Sequence, residues 1–439
     1  MGKPEKQQNS SNRGIIMNKP KILVIGPICN ISGYSEHART LLDALIKIQD
    51  KVDLYVQNTQ WAAASTDMKY VDKYSNLLQK THSVLHQRAD KDGNVNLYGM
   101  FDMSFQVRPP NEFQKVTPMD VGVTAALETT SAPASWIPNC NQMNHILVVS
   151  QHAKKSLTNA KDDKGSRIAT PISVIPFGHD SSVATTDIYQ DMGITTKFNF
   201  LTVAQMAPRK NLENMLNWFL QEFGDNEDVG LIIKSHTHNS STGDFHKTRN
   251  YLRTYIDHLS PERKCKVYFN HGKFSEERML SLYNPKYINC YITATHGEGF
   301  GIPIFNAACA GIPIVATNWS GHLDYLRIPV ENKSGKKQIK SQFIKVNYDI
   351  KKVEQKHLMP GLITEECEWA YPKEQSFKQG LRQVYSRSDE FVESSRQLSE
   401  FLKNKYDISE IHNMYIGFIN THLNTATSDI NNDQSTFYL

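Results

Sequence analysis

The sequence predicts an α/β protein built from two doubly wound, parallel-sheet domains that face each other across a cleft. Three observations lead there. Short β-branched runs alternate with helical patterns in both halves of the chain. The stretch "HGEGFGIPIFNAACAGIPIVAT" (296–317) sets three glycines between a strand and a small-residue helix. The chain's 439 residues, 39% hydrophobic and 21% charged, suffice for two or three full cores.

Taken in order, residues 1–19 are polar and basic and are expected to be a disordered tail. "KILVIG" (Lys21 to Gly26) is the first strand, followed by the loop "PICNISGY" and a helix from about Ser35 to Ile48 with apolar i, i+3, i+4 spacing. "DVGVTAALE", "HILVVS" and "SVIPFG" continue the first half as strands. Polar residues at about 179–196 make the connection. The second half restarts with the strand "FNFLTVAQ" and the helix "NLENMLNWFLQEF". Strands "VGLIIKS", "CKVYFN" and "YINCYITAT" follow, and after the glycine loop and its helix comes "IPIVAT". Pro303 suits a first helical turn and Gly311 the position past a helix end. "DEFVESSRQLSEFLKNKY" and "ISEIHNMYIGFINTHL" read as helices, and from about 424 the chain is a polar tail.

Composition removes several function classes. The net charge of +4 is small for this length and does not indicate nucleic-acid binding. The six cysteines (Cys29, Cys140, Cys265, Cys290, Cys309, Cys367) lie far apart, without the spacing of a disulfide framework or a zinc site. Asn30 and Asn318 form glycosylation sequons inside loops assigned below to the ligand, which would be awkward in a secreted protein. The longest apolar run, 301–316, is broken by Asn306 and two prolines, so no membrane span is expected. Neither a signal peptide nor an internal repeat is apparent. A cytoplasmic enzyme fits these features.

The chemistry gathers on three strand-end loops. In "NISGYSEH", Ser32 and Gly33 precede a helix, which suits either a backbone cradle for a phosphate or a plain strand-to-helix turn. In "AQMAPRKNLEN", Arg209 and Lys210 stand between a strand and a helix, as a pair of cations for a diphosphate or as ordinary surface charges. In the glycine stretch, Glu298 is placed either to cap the helix or to accept hydrogen bonds from sugar hydroxyls. Glycines there permit close approach to the backbone at a helix N-terminus, where an anion is favoured. Together, in matching places, the loops point to a phosphate-bearing ligand in the cleft.

Other motifs fail on detail. Asp90 and Asp92 imitate a calcium loop, but Val95 and Phe101 occupy its glycine and glutamate positions. After Gly297 and Gly299 the third glycine of a dinucleotide fingerprint is Ile302. His236, His238 and His246 lie in a stretch read as a solvated loop without a helix to gather them, so no metal site is assigned. His296, beside Glu298, is either a functional or a plain loop histidine.

"GEGFGIPIFNAACAGIPIVATNWSGHLDYL" resembles the signature of retaining glycosyltransferases of family four, which have the GT-B fold. Glu298, Gly299, Phe300 and Gly301 match its start, and Gly321 and Asp324 its later turn. "PRKN" is similar to the family's diphosphate loop, with Lys210 at the lysine position, and Ser32 and Gly33 to its first Gly-rich loop. Residues 121–157 and "EWAYP" (Glu368 to Pro372) resemble a subgroup, and the likeness spans roughly 20–420. Two positions depart from the pattern. Asn306 stands where the family has a second glutamate, typically on the nucleotide ribose, and Gln205 where it has an arginine.

The resemblance implies an N-terminal Rossmann-like acceptor domain (20–185) and a C-terminal Rossmann-like nucleotide-sugar domain (186–385). Helices over 386–423 cross back to the first, and 424–439 form the tail. It implies a hexosyltransferase that moves a sugar from a UDP- or GDP-linked donor to an acceptor hydroxyl, with retention and without metal or other cofactor. Lys210, Arg209, Glu298 and Glu128 would act at the reacting centre. Ser32, Gly33, Gln205, Gly299, Phe300, Gly301, Ile302 and Asn306 would bind the donor. The acceptor stays open among glycan, lipid, protein and modified DNA base. A nucleotide-sugar epimerase or hydrolase, or a noncatalytic nucleotide-sugar-binding subunit, would share these loops.

Overall fold

The computed structural model describes residues 19–331 and 335–433; most of the N-terminal tail and the end of the C-terminal one lie outside them. The first lobe is a six-stranded parallel sheet in the order β2-β1-β3-β4-β5-β6. Its strands are β1 (Lys21–Gly26), β2 (Asp53–Asn58), β3 (Met103–Val107), β4 (Met119–Thr124), β5 (His145–Val148) and β6 (Ile172–Val174). Helices α1 (Gly33–Ile46), α2 (Met68–Lys73), α3 (Ser75–Arg88), α4 (Ile137–Asn141) and α5 (Gln151–Asn159) connect them. In β1, five of the six residues are buried, the continuous apolar run of a strand covered on both faces. Sequence reading found β1, β4, β5 and β6, but ran β4 on to Glu128. The strand stops at Thr124, and Ala126 turns the chain with φ of 54°.

The second lobe repeats the architecture in the order β14-β11-β10-β7-β8-β9, again parallel throughout. Its strands include β7 (Phe198–Val203), β8 (Val229–Lys234), β9 (Lys266–Asn270), β10 (Cys290–Ile292) and β11 (Ile314–Thr317). The helices are α6 (Leu212–Phe223), α7 (Thr242–Leu259), α8 (Glu276–Ser281), α9 (Ile302–Cys309) and the short α10 (Leu323–Leu326). A hairpin of β12 (Arg327–Glu331) and β13 (Lys337–Ser341) follows, then the edge strand β14 (Ile344–Val346) and a second hairpin of β15 (Tyr348–Lys352) and β16 (Glu368–Pro372). The three-histidine stretch departs from expectation. Ser241 accepts the N–H of Asp244 and starts α7 at Thr242, so His246 is helical. Asp244 then ties down the preceding loop by accepting from the N–H groups of Thr237 and His238, and it meets His271 at 2.9 Å.

Strand order reverses between β7 and β10, so the loops leaving their carboxyl ends diverge and open a crevice between them. After α11 (Glu374–Ser386), α12 (Ser388–Lys405) packs on α9, and α13 (Ile408–Asp433) lies against α1 of the first lobe. The last helix thus continues through residues read from sequence as tail. One apolar cluster spans both lobes, joining Val149 and Phe177 to Phe300, Ile304, Phe305 and Tyr325.

Candidate active site

The crevice of the second lobe holds an ion network. β7 delivers "PRK" as a single 3-10 turn, Pro208–Lys210, ended by Asn211 at φ of 52°. Asn211 is fixed there because its side-chain amide donates to the carbonyl of Ala294 at 3.0 Å. β10 delivers Glu298, whose carboxylate accepts from Lys210 Nζ at 2.7 and 2.8 Å and from Arg209 Nη1 at 3.2 Å. Arg209 Nη2 reaches Glu128 of the first lobe at 3.1 Å. One guanidinium therefore links carboxylates from the two sides of the cleft.

Burial disfavours the charged form of Glu298, yet the Lys210 ammonium and the Arg209 guanidinium outweigh it and hold the pKa at about 2. Lys210 is lowered by burial and by repulsion from Arg209, against the pull of Glu298. The four charges sum to zero, but the ammonium has three N–H donors and the guanidinium five. Both cations retain capacity for phosphate oxygens while gripping the carboxylates.

The glycines have a more particular reason than ligand approach. A Cβ on Gly321 would stand 1.9 Å from the carbonyl oxygen of Gly299, and the Gly321 N–H donates to the carbonyl of Glu298 at 2.9 Å. A Cβ on Gly297 or Gly299 would meet the backbone oxygens of Glu128 and Ala125, each at 2.9 Å. Two of the three glycines of "GEGFG" thus admit the first lobe's main chain. Gly301, at φ of 88°, is the left-handed residue that opens α9. Ser150 adds a further link by donating its hydroxyl to the carbonyl of Gly299 at 2.6 Å. Asp324 accepts from the N–H of Gln151 at 2.7 Å, so this acid caps the first lobe's α5.

The remaining residues read from sequence divide into two groups. Ser32 caps α1 by accepting from the N–H of Ser35, and Gly33 looks across at Ile302, its would-be Cβ 3.7 Å from Cδ1. These helix starts face each other over the cleft. Asn306 is half-buried one turn into α9, hydrogen-bonded with Tyr283. Gln205 is exposed and donates its amide to the carbonyl of Thr237 at 2.9 Å, joining the β7 and β8 loops. The Phe300 side chain is only 3% exposed among Phe177, Phe305 and Tyr325, which leaves its main chain for the site. His296 donates its Nδ1–H to the carbonyl of Ala370 at 2.8 Å and stacks on Trp369. Burial lowers its pKa to about 4, so the ring is neutral at physiological pH.

Sequence reading missed Ser320, whose hydroxyl accepts the Glu298 N–H at 2.8 Å and whose φ is 88°. Its signal was the "SG" pair at 320–321. No group of three His, Cys, Asp or Glu side chains suited to a metal occurs among the described residues.

An α/β chain of two parallel-sheet lobes, with cations and an acid at the switch point between them, has the build of an enzyme acting in the cleft. Residues 186–334 match the family model of glycosyl transferases group 1. Solved structures with the same fold include Anabaena HepE in complex with UDP and glucose (14% identity, TM-score 0.56, covering 92% of this chain and 100% of that one). They also include sucrose-phosphate synthase from Thermosynechococcus elongatus (12%, 0.58, 93% and 100%). A third is α,α-trehalose 6-phosphate synthase from Burkholderia multivorans (10%, 0.57, 96% and 100%). No curated protein matches by sequence. The chain has the GT-B fold, and its second lobe matches the glycosyl transferases group 1 model over residues 186–334.

Proposed function

We propose that the chain moves a sugar from a UDP- or GDP-linked donor to an acceptor hydroxyl with retention at the anomeric carbon, without a metal ion. The observation that carries this reading is the network of Arg209 and Lys210 with Glu298 and Glu128 at the switch point. Lys210 and Arg209 stabilise the departing nucleoside diphosphate, each such preorganised donor contributing on the order of 3 kcal/mol to lowering the barrier. Glu298 holds the sugar by its hydroxyls, and Glu128 faces it from the first lobe.

Retention follows from the shortage of a base. A carboxylate with a pKa of about 2 is a poor proton acceptor at neutral pH, and Glu128 is held by Arg209. The departing phosphate is then the group best placed to take the acceptor's proton, and that requires attack on the face it leaves. On this reading 20–185 is the acceptor domain and 186–385 the donor domain. Six buried, unpaired cysteines favour a cytoplasmic location. No helix among the described residues is long and apolar enough to cross a membrane.

The test is a thermal-shift screen of nucleotide sugars, beginning with UDP-glucose because HepE was solved with it. A nucleotide-release assay and NMR of the product anomer follow. Retention and loss of transfer in folded Lys210→Ala and Glu298→Ala variants are expected. An inverted product, or normal turnover in either variant, would refute the mechanism; free sugar as the sole product would indicate a hydrolase.

A further inference from the structure

The first lobe carries an aromatic pair that the donor chemistry does not use. Tyr34, the second residue of α1, lies face to face with Trp61, the ring centroids 4.1 Å apart at 21°. The Tyr34 hydroxyl is 2.9 Å from Thr124 Oγ1. Thr124 ends β4 just before Ala125, which abuts Gly299, and four residues before Glu128. The stack is therefore fixed to the same stretch of main chain that brings Glu128 to Arg209.

The main chain of loop 59–67 is fixed on both sides of Trp61. The backbone N–H of Trp61 donates to Asn30 Oδ1 at 3.0 Å, and the Gln60 side-chain amide donates to the carbonyl of Ala64 at 2.8 Å. Asn30 and Thr66 form a β-bridge, and Asp67 reaches across the cleft to Lys273 at 2.8 Å. Four non-glycine residues among those described have left-handed backbone: Ala62, Ala126, Asn211 and Ser320. Three frame the Glu298–Arg209–Lys210–Glu128 network, and the fourth immediately follows Trp61. Such conformations persist where surrounding structure enforces them, which is the usual condition of ligand loops.

Resting on the glycosyl-transfer reading, we propose that Trp61, backed by Tyr34, is the acceptor platform and that the acceptor is a saccharide. Trp61 is half-buried and belongs to neither lobe's core, and its indole N–H has no acceptor among the described residues. A flat aromatic face with a free N–H at its edge fits the C–H face of a pyranose and one of its hydroxyls. Gln60 and Thr66 are exposed beside it and Ser65 is half-buried, which offers partners for sugar hydroxyls, with the small side chains of Ala62 and Ala63 and the exposed Ile31 between them; Asn30 is buried beneath, its amide held by Gln60 and Thr66.

The experiment is saturation-transfer NMR on the full chain, with and without UDP, against methyl glucoside, methyl mannoside, maltose, cellobiose and octyl glucoside. At least one saccharide is expected to bind, with Trp61→Ala weakening it tenfold or more and Trp61→Phe staying within threefold of wild type. A UDP thermal shift on each variant checks that the donor lobe is folded. Binding of octyl glucoside through its alkyl chain alone would overturn the proposal in favour of a lipid. So would equal saccharide binding by wild type and Trp61→Ala, or none by wild type. Absence of any nucleotide binding would defeat the donor reading instead, while the saccharide panel without UDP would still decide the platform.

Discussion

Replacing Lys210 with methionine separates what the ion network does for stability from what it does for catalysis. The variant keeps the length of the side chain and removes its charge, leaving Glu298 buried with Arg209 alone. The carboxyl of Glu298 falls from 4.5 to about 2 on folding, and Lys210 is the largest favourable contributor. At about 1.4 kcal/mol for each tenfold, that drop corresponds to on the order of 3 kcal/mol; Arg209 supplies part of it and the burial that lowers the pKa of Lys210 itself offsets part, so losing Lys210 should cost about 1–2 kcal/mol at pH 7. The sign fixes the pH dependence. A depressed carboxyl pKa contributes stability fully above the unfolded value of 4.5, and the contribution is lost as pH falls towards about 2. The deficit of Lys210→Met should therefore shrink on acidification. Adding Glu298→Gln should recover most of the lost stability at pH 7 and none of the transfer activity. Urea unfolding of the second lobe, followed between pH 7 and pH 3, provides the measurement. An undiminished deficit at pH 3, or wild-type stability of Lys210→Met at pH 7, would refute the reasoning.

Asn306→Glu should raise donor affinity roughly ten- to a hundredfold by isothermal calorimetry, since a charge-assisted bond to a ribose hydroxyl is worth about 1.5–3 kcal/mol. Weaker binding of every nucleotide sugar would show that the amide N–H is the working group. Gly321→Ala drives a methyl into the carbonyl of Gly299 and should lower the melting temperature by roughly 6 °C or more, with loss of transfer. Excess chelator should leave turnover unchanged; loss of activity restored by magnesium or manganese would contradict a reaction driven by fixed cations.

How far the sequence revealed the site follows from the physics of each residue. The β7 and β10 loops were legible because strand, glycine and cation patterns are local, and local patterns survive without tertiary information. Glu128 was visible only as an acid near a strand end, since its partner Arg209 is 81 residues away and comes from the other lobe. The reason for Gly297 and Gly299 was not legible at all. A glycine records that something comes close, and only the fold shows that Glu128 and Ala125 do. β2 and β3 were missed because "DLYVQN" and "MSFQV" are short runs beside polar stretches, and their pairing with β1 is what makes them strands. Trp61 lies in a loop without periodicity, and nothing local marks it as the partner of Tyr34.

The return of the last helices has a mechanical consequence. The chain passes between lobes twice, after β6 and again where α12 gives way to α13, and the two passages lie side by side. The N–H of His179 donates to the carbonyl of Tyr406 at 2.7 Å, and the N–H of Ile408 to the carbonyl of His179 at 3.0 Å. Gly178 permits that proximity, since a Cβ there would stand 2.9 Å from the Cα of Ile408. A lone strap would let the halves swivel in any direction, whereas two laced together behave as a door pin with one axis of rotation. Any rotation about that axis would have to part Glu128 from Arg209 and Asp67 from Lys273 together, so the two ion pairs latch the cleft as one unit.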